Sequence, residues 1–149
     1  QFDFLTVGSM GHTSSIALGV AIGTKRNVWC LDGDGSFLMH MGSLAIAGVN
    51  APCNFKYIIN NNAAHESVGG QPTVSDRIDI KAILKACGFS STYEARTKQE
   101  ICDSIQKMKK EGKSALVLYT KQGSRANLGR PTTTPIENKI SFMKEIKRH

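Results

Sequence analysis

Three short apolar runs of strand length constrain the fold of this chain more than any other feature. They occupy residues 28–31, 55–59 and 115–119. Each run is nearly continuous in its apolar character, whereas a strand with one face in water alternates apolar and polar residues. Stretches with helical periodicity separate the runs. The sequence therefore predicts an α/β fold, with a parallel sheet and helices on both of its faces.

The rest of the chain can be assigned to further elements around this sheet. We predict a short strand at residues 4–7, an apolar helix after Ser14 that should be buried, and one helix from Ser36 to about Gly48. Residues 63–77 lack helical or strand periodicity, and a loop of that length is more often functional than idle. The later segments are predicted to be a helix from Asp79, an edge strand at 91–95, an amphipathic helix at 98–111 and a last helix from Ile136.

The composition indicates which classes of partner suit the chain. Its 149 residues suit one domain over residues 1–149, and 19 basic against 12 acidic side chains give a net charge of +7. This surplus favours anionic ligands. We expect no nucleic-acid partner, because the basic residues are scattered and do not interleave with aromatic ones. No apolar run reaches the length of a membrane span, so we expect no membrane partner.

The four cysteines bear on the cellular compartment. Cys30, Cys53, Cys87 and Cys102 show no metal-ligand spacing, and three of them lie in apolar or periodic segments. We interpret them as buried free thiols, which are typical of a reducing environment. The sequence thus predicts a cytoplasmic protein.

Polar and glycine-rich segments follow the predicted strands and can meet at one edge of the sheet. These segments are residues 8–11, 33–36 and 61–66. In open sheets of this kind, ligands bind beyond the carboxyl ends of the strands. Asp34 offers a carboxylate between two glycines, which let backbone amides approach a phosphate, and the asparagines offer neutral oxygens. This set of groups suits Mg2+ held together with a diphosphate.

Two other interpretations of these residues are open. Gly-Asp-Gly and Asn-Asn are common in turns, and Gly-Asp-Gly taken alone is more often a turn than a metal site. Asp32 and Asp34 also suggest a calcium-binding loop, but the glycine and the terminal glutamate of that motif are missing. The two motifs together, one helix apart at successive strand ends, are more specific than either alone.

This combination resembles the thiamine-diphosphate enzymes. In that family Gly-Asp-Gly follows one strand and an asparagine pair follows a later one, as residues 33–35 and 60–62 do here. The tail at residues 65–73, His-Glu-Ser-Val-Gly-Gly-Gln-Pro-Thr, is similar to that of the decarboxylases of phosphonopyruvate and of their relatives, the sulfopyruvate decarboxylases. The resemblance covers nearly the whole chain. It implies the thiamine-diphosphate-binding fold, with thiamine diphosphate and Mg2+ as cofactors.

The resemblance also implies a set of metal ligands. Asp34 would be the carboxylate ligand of Mg2+. Either Asn62 with the carbonyl of Ala64, or Asn61 with that of Ala63, would complete the set. We favour the first pair, because the His-Glu-Ser motif anchors it.

The cofactor contacts implied by the resemblance extend over all three loops. Gly35 and Ser36 would donate backbone amides to the diphosphate at a helix N-terminus. Met10 takes the place of the bulky apolar residue that bends the cofactor, and its alternative role is core packing. The residues expected to bind the cofactor are Gly8, Ser9, Met10, Gly33, Asp34, Gly35, Ser36, Asn61, Asn62, Ala64 and His65.

The activity implied is decarboxylation of 3-phosphonopyruvate to phosphonoacetaldehyde and CO2, a step of phosphonate biosynthesis. His65, next to the expected metal ligands, is the first candidate for acid-base catalysis, and His12 is the second. Arg125 and Arg130 suit the phosphonate through paired hydrogen bonds, and the alternative for their segment is a solvated connector. Two other functions stay open: a sulfopyruvate decarboxylase subunit of beta type, and a cofactor-binding subunit without catalysis of its own.

The resemblance further implies a partner. Family members place a separate pyrimidine-binding domain before this one, and a glutamate of that domain protonates the cofactor ring. No segment of this chain fits that domain, and the abrupt start at Gln1 leads us to expect a piece of a longer protein. We therefore expect a pyrimidine-binding domain or subunit as partner, a homo-oligomer, and no activity from this chain alone.

Overall fold

A four-stranded parallel sheet forms the centre of the protein in the computed structural model, which describes residues 3–147. The strands in chain order are β1 (Val28–Gly33), β2 (Phe55–Asn61), β3 (Ala64–His65), β4 (Gln71–Pro72), β5 (Ser91–Ala95) and β6 (Ser114–Tyr119). The four longer strands pair in the order β1-β2-β6-β5, and β3 and β4 form a separate antiparallel pair. The predicted α/β class with a parallel sheet is confirmed. Residues 1–2 and 148–149 of the predicted domain lie outside the described residues.

Helices lie on both faces of this sheet. In chain order they are α1 (Thr13–Ile22), α2 (Asp34–Met39), α3 (Ser43–Asn50), α4 (Ile80–Ala86), α5 (Lys98–Lys110) and α6 (Pro135–Lys147). On one face α1 packs against β1 and α3, and α4 packs against β5 and β6. Within residues 3–147, no helix is both long enough and apolar enough to cross a membrane.

Alternate residues of the central strand β2 build the larger core. Phe55, Tyr57 and Ile59 are fully buried, and the rings of Phe55 and Tyr57 lie 6.2 and 6.0 Å from that of Phe89. These side chains share one face because successive strand residues point to opposite faces. The parallel register places Gly33 at the end of β1 level with Asn60 near the end of β2. The core thus determines where the two strands end relative to each other.

The second face is covered mainly by α5, whose start is stabilised by a capping box of Thr97 and Glu100. Met108 of α5 is fully buried in a cluster with Ile58 of β2 and Leu116 of β6. Leu31 of β1, in contrast, keeps 69 % of its surface exposed. Helices lie on both faces as predicted, but their cover is incomplete at the edge strand β1.

The single helix predicted from Ser36 to Gly48 is wrong, because two shorter helices replace it. α2 begins at Asp34 and ends at Met39, and α3 begins at Ser43. A hydrogen bond of 2.9 Å from the Ser43 amide to the His40 carbonyl closes the turn between them. The low helix propensity of Gly42 favours a break at this point.

Two predictions about apolar segments near the start of the chain are also wrong. Residues 4–7 form no strand. Their backbone is held by a side chain instead, since Asn138 of α6 accepts from the Leu5 amide and donates to the Asp3 carbonyl, both at 2.9 Å. Helix α1 is not buried on all sides, because Ile22 is 64 % exposed.

The loop predicted at residues 63–77 is partly regular. It contains the short ribbon of β3 and β4, with a 3-10 turn at Glu66–Val68 between them. Two residues per strand carry too little pattern to be recognised in the sequence. After the ribbon the chain returns to the end of β2, where the Thr73 amide donates to the Ala63 carbonyl at 3.0 Å.

The cysteines are free thiols, but the prediction that they are buried is only partly correct. Cys30 is buried on β1, whereas Cys53 and Cys102 are exposed and Cys87 is half-buried. Cys102 lies on the outer side of an amphipathic helix, where apolar spacing alone does not imply burial.

Candidate metal and cofactor site

An open cleft of about 210 Å3 lies at the carboxyl ends of β1 and β2. It is lined by Met10, Gly33, Asp34, Gly35, Ser36, Asn60, Asn62, Ala64, His65, Glu66 and Ser67. Of the residues predicted to bind the cofactor, Gly8, Ser9 and Asn61 are not among the lining residues. The cleft forms here because neighbouring parallel strands end at the same edge of the sheet, so the loops after them meet.

The Asp34 carboxylate is buried in this cleft and is held from one side. Only 1 % of Asp34 is exposed, and its Oδ2 accepts hydrogen bonds from Thr73 Oγ1 at 2.5 Å and Ser75 Oγ at 2.8 Å. Within residues 3–147, Oδ1 accepts no hydrogen bond. One oxygen of a buried carboxylate is therefore available to a ligand.

Thr73 and Ser75 are site residues that the sequence reasoning missed. Both are buried, at 8 % and 2 % exposure, although they belong to a polar loop. The available signal was their spacing of two residues directly after the glycine-rich tail, which places two hydroxyls on one side of an extended segment.

The three consecutive asparagines have different surroundings. Asn60 and Asn62 border the cleft, whereas Asn61 lines only a neighbouring pocket, which Asn62 borders as well. Asn61 is 4 % exposed, and its Oδ1 accepts hydrogen bonds from the Ala63 amide at 3.1 Å and from Ser75 Oγ at 2.8 Å. The Oδ1 of Asn62 accepts one hydrogen bond, from the Ala64 amide at 3.1 Å. Asn61 is thus occupied in the interior, and Asn62 faces the cleft.

Gly35 permits the close approach of His65 to the backbone of the cleft. A Cβ atom at position 35 would collide with Nδ1 of the His65 ring. His65 is half-buried and lines the cleft, one residue after Ala64. The glycine therefore permits the position of the histidine that is predicted to act in acid-base chemistry.

The first loop is joined to the second by a hydrogen bond. The Gly11 amide donates to Ser36 Oγ at 2.8 Å, and Met10 lines the cleft from this side. Gly8 and Gly11 have φ values of 71° and 89°, which glycine adopts without strain. The first loop therefore places Met10 at the cleft beside residues 33–36, where a cofactor contact was predicted.

The two predicted catalytic histidines lie in different surroundings. His12 is exposed and is not a lining residue of the cleft, and its ring contacts that of His40 at a centroid distance of 4.3 Å. His65 lines the cleft directly. Of the two, only His65 is placed where it can reach a ligand in the cleft.

The structure does not bring Arg125 or Arg130 to the cleft. Both are exposed, in a segment of residues 120–134 without helix or strand. The segment is nevertheless attached beside the cleft, because the Gly123 amide donates a hydrogen bond to the carboxylate of Glu66, a lining residue. Glu66 is therefore, after Thr73 and Ser75, a third residue of the site whose role was not predicted.

A buried pair behind the cleft holds the end of β1. The Tyr57 hydroxyl donates to Asp32 Oδ2 at 2.8 Å, and Asp32 Oδ1 accepts from the Gly33 amide at 3.0 Å. Burial raises the pKa of Tyr57 well above the ordinary tyrosine value, and the Asp32 carboxylate raises it further. Tyr57 therefore remains a neutral donor, and Asp32 is a structural residue of the Gly33 turn.

The donor set of the cleft fits a hard cation together with an anionic group. Oδ1 of Asp34 and the side chain of Asn62 present oxygen atoms at one edge, and Mg2+ favours oxygen ligands of this kind. A buried carboxylate costs free energy unless it is paired, and a divalent cation provides that pairing. The backbone from Gly33 to Ser36 lies in the same cleft, where its amides can face phosphate oxygens.

The comparison with protein families identifies this architecture. The family described as thiamine pyrophosphate enzyme, C-terminal TPP-binding domain, matches residues 2–118. The match includes the first loop, the Gly33–Ser36 turn, the asparagine run and the loop that carries Thr73 and Ser75. The resemblance stated from the motifs is thereby confirmed.

Two kinds of curated relative are similar to the chain. It is 38 % identical to phosphonopyruvate decarboxylase from Streptomyces viridochromogenes over 135 residues. The aligned part covers 90 % of this chain and 34 % of that protein. It is 34 % identical over 146 residues to sulfopyruvate decarboxylase subunit beta from Methanococcus maripaludis, covering 98 % of this chain and 78 % of that subunit. The chain thus spans about a third of the phosphonopyruvate decarboxylases it matches.

A solved structure has the same fold. The X-ray structure of a candidate thiamin diphosphate-dependent enzyme from Mycobacterium smegmatis superposes with a TM-score of 0.65 over 78 % of this chain and 23 % of that one. Its identity of 18 % makes this a likeness of fold. With a family match that runs from residue 2 to residue 118, the chain belongs to the family of thiamine pyrophosphate enzyme C-terminal TPP-binding domains.

Proposed function

We propose that this chain is the diphosphate-binding and metal-binding part of a thiamine-diphosphate-dependent decarboxylase that converts 3-phosphonopyruvate to phosphonoacetaldehyde and CO2. The observation that carries the proposal is the cleft in which buried Asp34 keeps one open oxygen beside Asn62 and His65. The similarity to phosphonopyruvate decarboxylase over 90 % of the chain supports the choice of substrate.

In this proposal Asp34, Asn62 and the carbonyl of Ala64 hold Mg2+. The alternative set of Asn61 and Ala63 is less suitable, because the Asn61 side chain already accepts two hydrogen bonds away from the cleft. Asn62→Ala should therefore weaken Mg2+-dependent cofactor binding more than Asn61→Ala does, whereas Asn61→Ala should cost more stability. Calorimetric titration and urea unfolding of both variants would measure this, and the reverse order of binding losses would favour Asn61.

The cofactor, when bound, supplies a nucleophilic carbon and an electron sink for the loss of CO2. The chain contributes position and proton transfer. Met10 provides an apolar contact for the cofactor at the first loop, and His65 is the proposed site of proton transfer, because it lines the cleft next to the metal ligands. In this proposal a partner that covers the open cleft limits access of water, which disfavours the charged carboxylate of the substrate.

We assign recognition of the phosphonate to Arg125 and Arg130. Their segment is attached beside the cleft through the hydrogen bond between Gly123 and Glu66, so a rearrangement of the segment could bring either guanidinium to the cleft mouth. Arg125→Ala or Arg130→Ala should reduce kcat/KM for phosphonopyruvate roughly 10- to 100-fold, the worth of a charged hydrogen bond, and leave pyruvate nearly unaffected. Equal losses on both substrates would show that the arginines are structural.

Sulfopyruvate is the second candidate substrate. It is favoured by one observation, namely that a sulfopyruvate decarboxylase beta subunit is matched over 78 % of its own length. Both keto acids carry a tetrahedral anionic group, so the same cleft chemistry applies to both. Parallel measurements of kcat/KM for the two substrates with the full enzyme would decide between them.

We further propose that a pyrimidine-binding domain or subunit completes the site, in a homo-oligomeric cytoplasmic enzyme. Exposed Met39 and Met41 flank His40, which contacts the first cofactor loop at Gly11, so apolar surface lies beside the cofactor loops. The exposed free thiols of Cys53 and Cys102 suit a reducing compartment. The isolated chain should release no CO2 from phosphonopyruvate. Addition of the partner should restore the release of CO2. Turnover by the purified chain alone would refute the need for a partner.

A further inference from the structure

We propose that Thr73 and Ser75, here called the hydroxyl pair, are positioning residues that orient Asp34 for Mg2+ and couple it to the asparagine loop. The inference rests on the metal site described under Proposed function. It concerns residues outside the motifs that define the site in the sequence. The hydroxyl pair would act on the metal through Asp34 and Asn61 rather than by touching it.

The contacts of the hydroxyl pair join the two sides of the cleft. Thr73 Oγ1 donates to Asp34 Oδ2 at 2.5 Å, and Ser75 Oγ lies 2.8 Å from both Asp34 Oδ2 and Asn61 Oδ1. The two hydroxyls are themselves 2.7 Å apart. Asp34 follows β1 and Asn61 ends β2, so two residues from a later loop connect groups at the ends of separate strands.

The number of protons makes the two hydroxyls unequal. Each hydroxyl has one hydrogen to donate. Thr73 donates its hydrogen in the short contact to Asp34, whereas Ser75 must share its one hydrogen among Asp34, Asn61 and Thr73. Thr73 is therefore the principal donor that holds Oδ2, and Ser75 is the link that makes Asp34 and Asn61 move together.

The backbone brings the hydroxyl pair to this position with little freedom. The Thr73 amide donates to the Ala63 carbonyl at 3.0 Å, directly after the ribbon of β3 and β4. The same bond closes the loop that carries Ala64 and His65. The loop bearing the proposed ligands and the residues that orient Asp34 are thus parts of one closed turn.

This arrangement has a consequence for metal preference. Oδ2 is held by the hydroxyl pair, so Oδ1 is presented in one direction. Mg2+ requires a near-ideal octahedron, while Ca2+ accepts irregular and flexible geometry. Loss of the orienting hydroxyl should therefore weaken the binding of Mg2+ more than that of Ca2+. If the hydroxyl served stability alone, its loss would not change the preference between the two ions.

The experiment compares Thr73→Val, Thr73→Ser and Ser75→Ala with wild type in the full enzyme that contains this chain. Mg2+ and Ca2+ are titrated calorimetrically in the presence of thiamine diphosphate. The unfolding midpoint is measured in the absence of both metal ions and of thiamine diphosphate. Thr92→Val is the matched control, since Thr92 is a half-buried threonine on β5 at the other edge of the sheet.

Thr73→Val should weaken the binding of Mg2+ roughly 10- to 100-fold, as substitutions behind metal ligands do. The binding of Ca2+ should weaken by a smaller factor. Thr73→Ser should bind Mg2+ close to wild type, because it keeps the hydroxyl. Ser75→Ala should show the same selective loss to a smaller degree, which provides a second reading should Thr73→Val fold poorly. Thr92→Val should leave both affinities unchanged.

Three results would overturn the role of the hydroxyl pair while leaving the proposed metal site intact. These are unchanged Mg2+ affinity in Thr73→Val and Ser75→Ala, equal weakness of Thr73→Val and Thr73→Ser, or equal losses for Mg2+ and Ca2+. Failure of the proposed metal site itself would look different: the wild-type enzyme would bind thiamine diphosphate without any dependence on Mg2+.

Discussion

Two buried polar clusters lie at opposite ends of the central strand β2, and their hydrogen bonds are arranged in opposite ways. The amino-end cluster consists of Asn54 and Lys56. Lys56 is 1 % exposed, and its Nζ donates to three backbone carbonyls, those of Cys53 at 3.1 Å and of Glu111 and Gly112 at 2.5 Å each. Asn54 likewise donates from Nδ2 to backbone carbonyls, those of Ala21, Thr24 and Arg26.

The carboxyl-end cluster consists of Asp34, Asn61, Thr73 and Ser75. Here side chains contact other side chains, and four hydrogen-bond contacts share two hydroxyl hydrogens. At the amino end the three hydrogens of the Lys56 ammonium group meet three carbonyls. Asn54, in contrast, shares two Nδ2 hydrogens among three carbonyls, and its buried Oδ1 has no hydrogen-bond partner among the described residues. The comparison teaches that neither the burial of polar groups nor a shortage of hydrogens marks a functional site by itself. What distinguishes the carboxyl end is a buried carboxylate that keeps one oxygen open at a cleft.

The largest effect should come from Asp34→Asn, which tests the carboxyl-end cluster. The variant keeps the shape of the side chain but removes the charge, so Mg2+-dependent cofactor binding should fall more than about 100-fold, beyond the usual cost of changes behind a ligand. The unfolding midpoint without ligands should not fall, because a buried charge is removed. Calorimetry and thermal unfolding of the full enzyme measure the two quantities, and retained binding would contradict the comparison.

Lys56→Met tests the amino-end cluster and should have the opposite outcome. Three carbonyls lose their donor, which should lower the free energy of unfolding by about 2–4 kcal/mol in urea titrations. Cofactor affinity of the folded protein should stay at the wild-type value. Lys109→Met, at an exposed position of α5, is the control and should change stability by less than about 0.5 kcal/mol. A loss of cofactor affinity in Lys56→Met would show that the two ends are coupled.

Tyr57→Phe sharpens the comparison, because it removes a donor from Asp32. Both oxygens of this buried carboxylate accept hydrogen bonds, whereas Asp34 keeps one oxygen open. At pH 7 the variant should be less stable by about 1–3 kcal/mol, since Asp32 loses a buried donor. The folded-state pKa of Tyr57 is raised, so its stabilising effect is present below the unfolded pKa of about 10 and is lost as the pH rises above it. Urea unfolding of both proteins should therefore show a difference that narrows above pH 10, and a constant difference would contradict this.

The smallest effect is expected at Ala63, in the turn between the two proposed ligand residues. Its φ of 56° is unfavourable for an L-residue with a side chain, so Ala63→Gly should raise the free energy of unfolding by up to about 1 kcal/mol. Ala82→Gly, at an exposed position of α4, is the control and should lower it by about 0.5–1 kcal/mol. Destabilisation by both changes would mean that the turn carries no strain.

The sheet and most cleft-lining residues were predictable from sequence because strong local signals mark them. The apolar runs of β1, β2 and β6 and the short motifs after β1 and β2 place Asp34 and Asn62 without any knowledge of packing. The parallel arrangement then requires that these motifs meet at one edge. Local pattern and tertiary structure agree in this part of the chain.

Other features depend on contacts between distant residues and could not be read locally. The segment at residues 4–7 has the composition of a strand, yet Asn138, more than a hundred residues later, accepts from its Leu5 amide and donates to the carbonyl of Asp3 just before it. Thr73 and Ser75 look like ordinary loop residues until the ribbon brings them to Asp34. The positions of Arg125 and Arg130 are equally open in the sequence, because nothing local determines where an exposed polar segment lies.

The order of the strands also governs when the site can assemble during synthesis. β6 pairs with β2 from Lys56–Ser114 to Asn61–Tyr119, and the Thr120 amide donates to the Asn61 carbonyl at 2.8 Å. A ribosome-bound chain that stops before residue 114 already contains Asp34, Asn61, Thr73 and Ser75, but one side of β2 has no neighbouring strand. Unpaired strands of this kind are prone to aggregate. The proposed metal-binding loops are thus complete in the nascent chain at Ser75, 39 residues before the strand that pairs with this side of β2 begins at Ser114.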